Sequence, residues 1–157
     1  MQLSEHFSYA ELTKSTTAAR KGISNAPSKE HAANLVTLCN EVLEPLRKLY
    51  GRPIRISSGY RSPALNKLVG GSLASHHCLG MAVDIDQGNA AENMKIFNLL
   101  KAYGTFTQLI YEFGNLEDGP DWVHVSYDKD DLSREILRAV QVGKKTQYVK
   151  WKSHKMK

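Results

Sequence analysis

Leu35, Leu38, Cys39, Val42, Leu46 and Leu49 recur at three- and four-residue spacing, one apolar stripe that predicts an amphipathic helix. Asn25-Ala26-Pro27-Ser28 supplies its start. Gly51 closes it and Pro53 blocks its return. The internal Pro45 predicts a kink, because proline removes a main-chain donor and crowds the preceding turn. Asn89 to Tyr103 reads as a second amphipathic helix, with Met94, Phe97, Leu100 and either Ala102 or Tyr103 turned inward. Shorter helices are expected after Ser8, over Tyr9 to Leu12, and from Pro63 to Val69, ended by Gly70-Gly71.

The remaining apolar residues alternate with period two. Ile54 to Ser58, Met81 to Asp86, Thr107 to Glu112 and Trp122 to Tyr127 read as strands. Alternation puts Val83 and Ile85 on a core face and Asp84 on the other; likewise Val123 and Val125 face inward while Trp122, His124 and Ser126 share the opposite face. Glu135 to Val142 and Thr146 to Trp151, joined by Gly143-Lys144-Lys145, predict a terminal hairpin. Helices followed by mostly antiparallel strands, with a helix inserted, give the α+β class: a single domain with the sheet packed against the helices.

At 157 residues the chain is long enough for one domain with a sizeable core. No apolar run approaches the roughly 18 residues of a membrane span. The segment Met1 to His6 lacks a basic start and an apolar stretch, so synthesis in the cytoplasm without a secretory signal is expected, with any action elsewhere following release from the cell. Cys39 and Cys78 do not suggest a disulfide framework; Cys39 fits a small core residue. The net charge of +5 is unevenly placed. Residues 143–157 hold six lysines and no Asp, Glu or Arg, which leaves residues 1–142 at a net −1. The domain reading is therefore a body over 1–142 and a basic C-terminal tail over 143–157, which could add a last strand. Such a tail suits an anionic polymer or a solubilising end.

Candidate chemistry gathers in Ser75-His76-His77-Cys78-Leu79-Gly80-Met81-Ala82-Val83-Asp84. His77 and Asp84 stand seven residues apart among small and apolar neighbours, and His124 offers a further imidazole. Two imidazoles and a carboxylate are a common shell for a catalytic zinc ion with one open position. Gly80 permits the turn and Ala82 keeps space. His76 points elsewhere as the neighbour of His77, and Cys78 is surplus to a complete set. Asp121 lies three residues before His124, at a strand entrance after Asp118-Gly119-Pro120, where it could swing toward the site as general base. Arg61, in Ser57-Ser58-Gly59-Tyr60-Arg61-Ser62, is a candidate for a substrate carboxylate or an oxyanion. Ser75, Tyr60 and Gln108 are candidates for substrate contact or support of the ligands. Glu112 could support a ligand histidine, although a purely structural place suits it better.

The pattern Ser-x-His-x-x-Gly-x-Ala-x-Asp at Ser75, His77, Gly80, Ala82 and Asp84, with Trp122-x-His124 downstream and Ser58-Gly59-Tyr60-Arg61-Ser62 upstream, resembles the M15 zinc peptidases, the Hedgehog/DD-peptidase group. The likeness covers roughly residues 3 to 142. It implies one zinc ion on His77, Asp84 and His124. It also implies cleavage of peptidoglycan stem peptides, as a D-Ala-D-Ala carboxypeptidase or an L-Ala-D-Glu endopeptidase. Carboxypeptidase members often carry Glu where Asp121 stands, so the shorter acid tilts the resemblance toward phage lysin endopeptidases. A monomer is expected, without specific nucleic-acid binding. The rival reading is a zinc-stabilised wall-binding module without activity, and a third assigns the basic tail to nucleic acid.

Overall fold

A computed structural model describes residues 1–152 as a layer of helices against one six-stranded sheet, an α+β fold. The part of the basic tail beyond Lys152 lies outside the described residues. Ser8 caps α1 (Tyr9–Thr13) through a reciprocal arrangement with Glu11, and Ser15 caps α2 (Thr16–Lys21), a helix absent from the apolar pattern because only Ala18 of it is buried. Ser28 caps α3 (Lys29–Leu38).

The expected kink at Pro45 takes another form. A π-helical turn (Cys39–Leu43) joins α3 to α4 (Glu44–Tyr50), and the Glu44 amide reaches back to the Cys39 carbonyl. The wider turn places Pro45 in the first turn of α4, where its missing N–H leaves little unsatisfied. Leu49, the last residue of the apolar stripe, is 50% exposed because α4 ends one residue later and turns it outward.

β1 (Ile56–Ser58), α5 (Pro63–Leu68), β2 (Ala82–Ile85), α6 (Ala90–Tyr103), β3 (Gln108–Glu112), β4 (Trp122–Ser126), β5 (Glu135–Val142) and β6 (Lys145–Lys150) complete the order. The sheet runs β1-β2-β4-β3-β5-β6, antiparallel throughout except for the parallel pair β3–β5. α6 turns Asn93, Ile96, Phe97 and Leu100 inward, whereas both Ala102 and Tyr103 are exposed at its last turn. Val83, Ile85, Val123 and Val125 pack with Leu35, Leu38, Leu46 and Phe97 into one core on the helix side. Trp151, just past β6, stacks there on Phe97 and Tyr111. The other sheet face is left open for the polar residues of the alternating strands. No helix among the described residues is long and apolar enough to cross a membrane.

Candidate metal centre

His77 stands in one 3₁₀ turn, His76–Leu79, between α5 and β2. Ser75 opens the turn, its hydroxyl accepting from the His77 amide at 3.2 Å. Gly80 closes it at φ +72°, where a Cβ would lie 2.3 Å from the His31 carbonyl oxygen. Only glycine meets both demands without strain. The reversal brings His77 back over β2. Asp84 pairs with His124 across the β2–β4 ladder, and the pleat sends both side chains to the open face.

The three side chains converge. Asp84 Oδ1 lies 3.3 Å from His77 Nε2 and 3.0 Å from His124 Nδ1. His77 Nδ1 donates to the Gly59 carbonyl at 2.7 Å. A carbonyl can only accept, so Nδ1 carries a proton, and in the neutral ring Nε2 is the lone pair that a metal needs. That buried nitrogen has no hydrogen-bond partner. Opposite a carboxylate oxygen at 3.3 Å, that nitrogen calls for a cation between the two, a proton or a metal ion. Tetrahedral ligands about 2.0–2.1 Å from a zinc ion stand roughly 3.3 Å apart, close to the observed spacings. The donor set therefore fits a divalent metal. Burial works against ionisation of Asp84, yet the two imidazoles hold its carboxyl well below the usual carboxylate range. Burial lowers His124 despite the pull of Asp84, which favours the neutral form that a metal needs.

A cavity of about 640 Å³ opens over these residues, walled by Arg61, Ile110, Glu112, Trp122 and Tyr148. Register explains the wall. Ile110 faces His124 and Glu112 faces Trp122 across β3–β4; Ala139 then separates Glu112 from Tyr148 across β5 and β6. The tail segment thus forms the sheet edge and lends Thr146 and Tyr148 to the cavity. Glu112 is 6% exposed, and burial, helped by repulsion from Asp84, pushes its carboxyl up to about 8.

Asp121 is placed differently from the sequence expectation. It is exposed and does not line the cavity. Its amide donates to the Glu112 carbonyl at 2.9 Å, and its own carbonyl accepts from the buried Asn93 at 2.9 Å. Held at both ends, the segment enters β4 in regular alternation and has no slack to swing inward. Alternation does carry a signal for Glu112: an acid closing the apolar run Leu109-Ile110-Tyr111, on the same face as Ile110.

Arg61 lines the cavity, and its buried Nε has no partner. Its loop is locked to the metal turn. The Arg61 amide donates to the His77 carbonyl at 3.1 Å while His77 donates to Gly59. Asn25 clamps the same loop from behind, donating to the Tyr60 carbonyl and accepting from the Ser62 amide. Tyr60 is buried in the core rather than in the large cavity. Gln108 lines that cavity and donates to Glu135 at 2.8 Å. His76 also lines it, outside the converging set. The Cys78 thiol is raised by burial and does not join the ligand atoms. Glu5, His6 and Glu44 form a second, mostly exposed group; Glu44 there ties down Ser4 and His6 of the N-terminal segment.

A family model described as Peptidase M15 matches residues 5–126. No curated protein matches the chain. The matched span holds the 3₁₀ turn, β2 and β4, and ends at the last residue of β4. On this match the chain belongs to the M15 peptidase family.

Proposed function

We propose that the protein is a zinc peptidase acting on peptidoglycan stem peptides, at an L-Ala-D-Glu or a D-Ala-D-Ala bond. The observation that carries this reading is the buried, unpartnered Nε2 of His77 turned on Asp84 beside His124, in one cavity with Arg61 and Glu112. His77, Asp84 and His124 would hold the ion. When bound, zinc supplies a Lewis acid that polarises a carbonyl and acidifies water.

The other steps belong to side chains of this chain. Glu112 takes a proton from the attacking water and returns it to the leaving amine; a carboxyl with a raised pKa suits both directions near neutrality. Arg61 binds and orients the substrate carbonyl or carboxylate through its guanidinium, whose Nε the fold leaves without a partner. Trp122 and Tyr148 flank the peptide, and Ser75 and Gly59 keep the His77 ring aimed. Asp121 takes no part in this scheme, so its identity no longer weighs between the two bonds. A second cavity meets the first at Arg61, Val69 and Asp84, so space continues on both sides of the centre, which favours an endopeptidase.

The test is digestion of purified peptidoglycan with mass spectrometry of the fragments. New D-Glu amino termini would mark the endopeptidase and free D-Ala the carboxypeptidase. Intact peptides after incubation with zinc-loaded protein would refute both.

A further inference from the structure

The second cavity, of about 420 Å³, is richer in cations than the first. Lys14, Arg55 and Arg61 all border it, together with the hydroxyls of Thr16, Thr17 and Ser58. Its one acid is Asp84, already committed to the metal group. Among the described residues none of the three cations is paired with a carboxylate. They come from separate parts of the chain: Lys14 from the α1–α2 connection, Arg55 from just before β1, and Arg61 from the loop after it. The first cavity shares Arg61 and Asp84 with it and adds Glu112, whereas Lys14 and Arg55 border the second cavity alone.

Three unpaired cations converging on one hollow repel each other and favour an anion. We propose that Lys14 and Arg55 form a subsite for a free carboxylate of the peptide substrate, beyond Arg61 and away from Glu112. This rests on the peptidase reading above and adds the substrate class: an acidic peptide rather than a neutral one. The carboxylate is either the peptide's C-terminus or the α-carboxylate of a γ-linked D-glutamate, and both offer the same planar acceptor.

Binding, rather than turnover, tests the subsite. The probe is the stem pentapeptide L-Ala-γ-D-Glu-L-Lys-D-Ala-D-Ala, with two relatives: one amidated at the D-Glu α-carboxylate, the other at the C-terminus. Calorimetry on the zinc-loaded protein should show one amidation weakening binding by about tenfold or more, as expected when a charge-assisted hydrogen bond is removed. The sensitive position identifies the source. In Lys14→Gln/Arg55→Gln the acid and its amide should bind alike. Both side chains are exposed, so the double variant keeps the core. Equal affinity for all three peptides in the parent, no binding, or a preference that survives the double substitution would overturn the subsite. A clear preference without any cleavage would leave the subsite standing and sink the peptidase reading instead.

Discussion

The amide of Asp121 donates to the carbonyl of Glu112 at 2.9 Å, so two acids joined through the main chain send their side chains to different places. Glu112 is buried in the cavity wall and Asp121 is exposed outside it. On the proposed mechanism the pair separates the base, Glu112, from Asp121, the acid nearer to His124 along the chain. Glu112→Gln should lower kcat for peptide hydrolysis by about 10²–10⁴-fold while one metal ion per chain is retained. Asp121→Asn should stay within a few-fold of the parent. The reverse ranking would return the base to Asp121.

On the proposed ligand set, the unpartnered His77 nitrogen ties metal binding to stability. Zinc should raise the unfolding midpoint, by a free energy near ~2.7 kcal/mol at a hundredfold excess over Kd. His124→Ala and Asp84→Ala should lose the bound ion, read as metal content after dialysis, and with it the thermal response. A midpoint indifferent to zinc in the parent would count against these ligands.

Glu112 also sets a pH dependence for the metal-free protein. Its carboxyl moves from an ordinary 4.5 to about 8 on folding, so the folded state holds the proton more tightly. Burial of the neutral acid carries no charge penalty below about pH 4.5. Stability then falls as pH rises from 4.5 toward 8, with a limiting slope of about 1.4 kcal/mol per pH unit, and levels off above. Glu112→Gln should flatten that decline in denaturation curves taken at pH 5, 6, 7 and 8. An equal decline in the variant would remove Glu112 as its source.

Gly80→Ala tests the turn under His77. The new methyl would meet the His31 carbonyl and strain a left-handed backbone, at a cost of roughly 1–3 kcal/mol. Metal affinity should fall with stability, because the same turn aims the ligand. Unchanged zinc affinity in a folded variant would show that the turn does not position His77.

The C-terminal hairpin is anchored by Trp151 against Phe97 and Tyr111. Trp151→Ala should cost about 2–4 kcal/mol, because it removes a large aromatic surface packed against the core. Deletion of residues 143–157 should cost more, since it also strips the β5 edge. A truncated chain with the parent's unfolding midpoint would make the hairpin an appendage.

Much of this was legible from local pattern. Period-two alternation is a property of single strands, and it placed Val83, Ile85, Val123 and Val125 in the core and Asp84 and His124 opposite them. What local pattern cannot supply is which strand lies beside which. β3 sits next to β4 because of the sheet order, and that long-range choice brings Glu112 to the cavity and Ala139 and Tyr148 after it. Asp121 is nearer to His124 along the chain, but sequence distance does not stand for spatial distance. The basic residues after Gly143 read as a tail on charge alone, while the described part up to Lys152 holds an exposed strand paired with β5. Lys14 and Arg55 carried no local signal at all, being 41 residues apart and meaningful only across one hollow.

The two loops that exchange hydrogen bonds through Gly59, Arg61 and His77 behave as one piece of scaffolding. Any restraint on the imidazole is then felt by the guanidinium, and the reverse. By thermodynamic reciprocity, a ligand held by Arg61 changes the affinity for an ion on His77 by the same factor by which that ion changes affinity for the ligand. Zinc titrations with and without a bound acidic peptide would therefore measure how strongly the two positions are coupled.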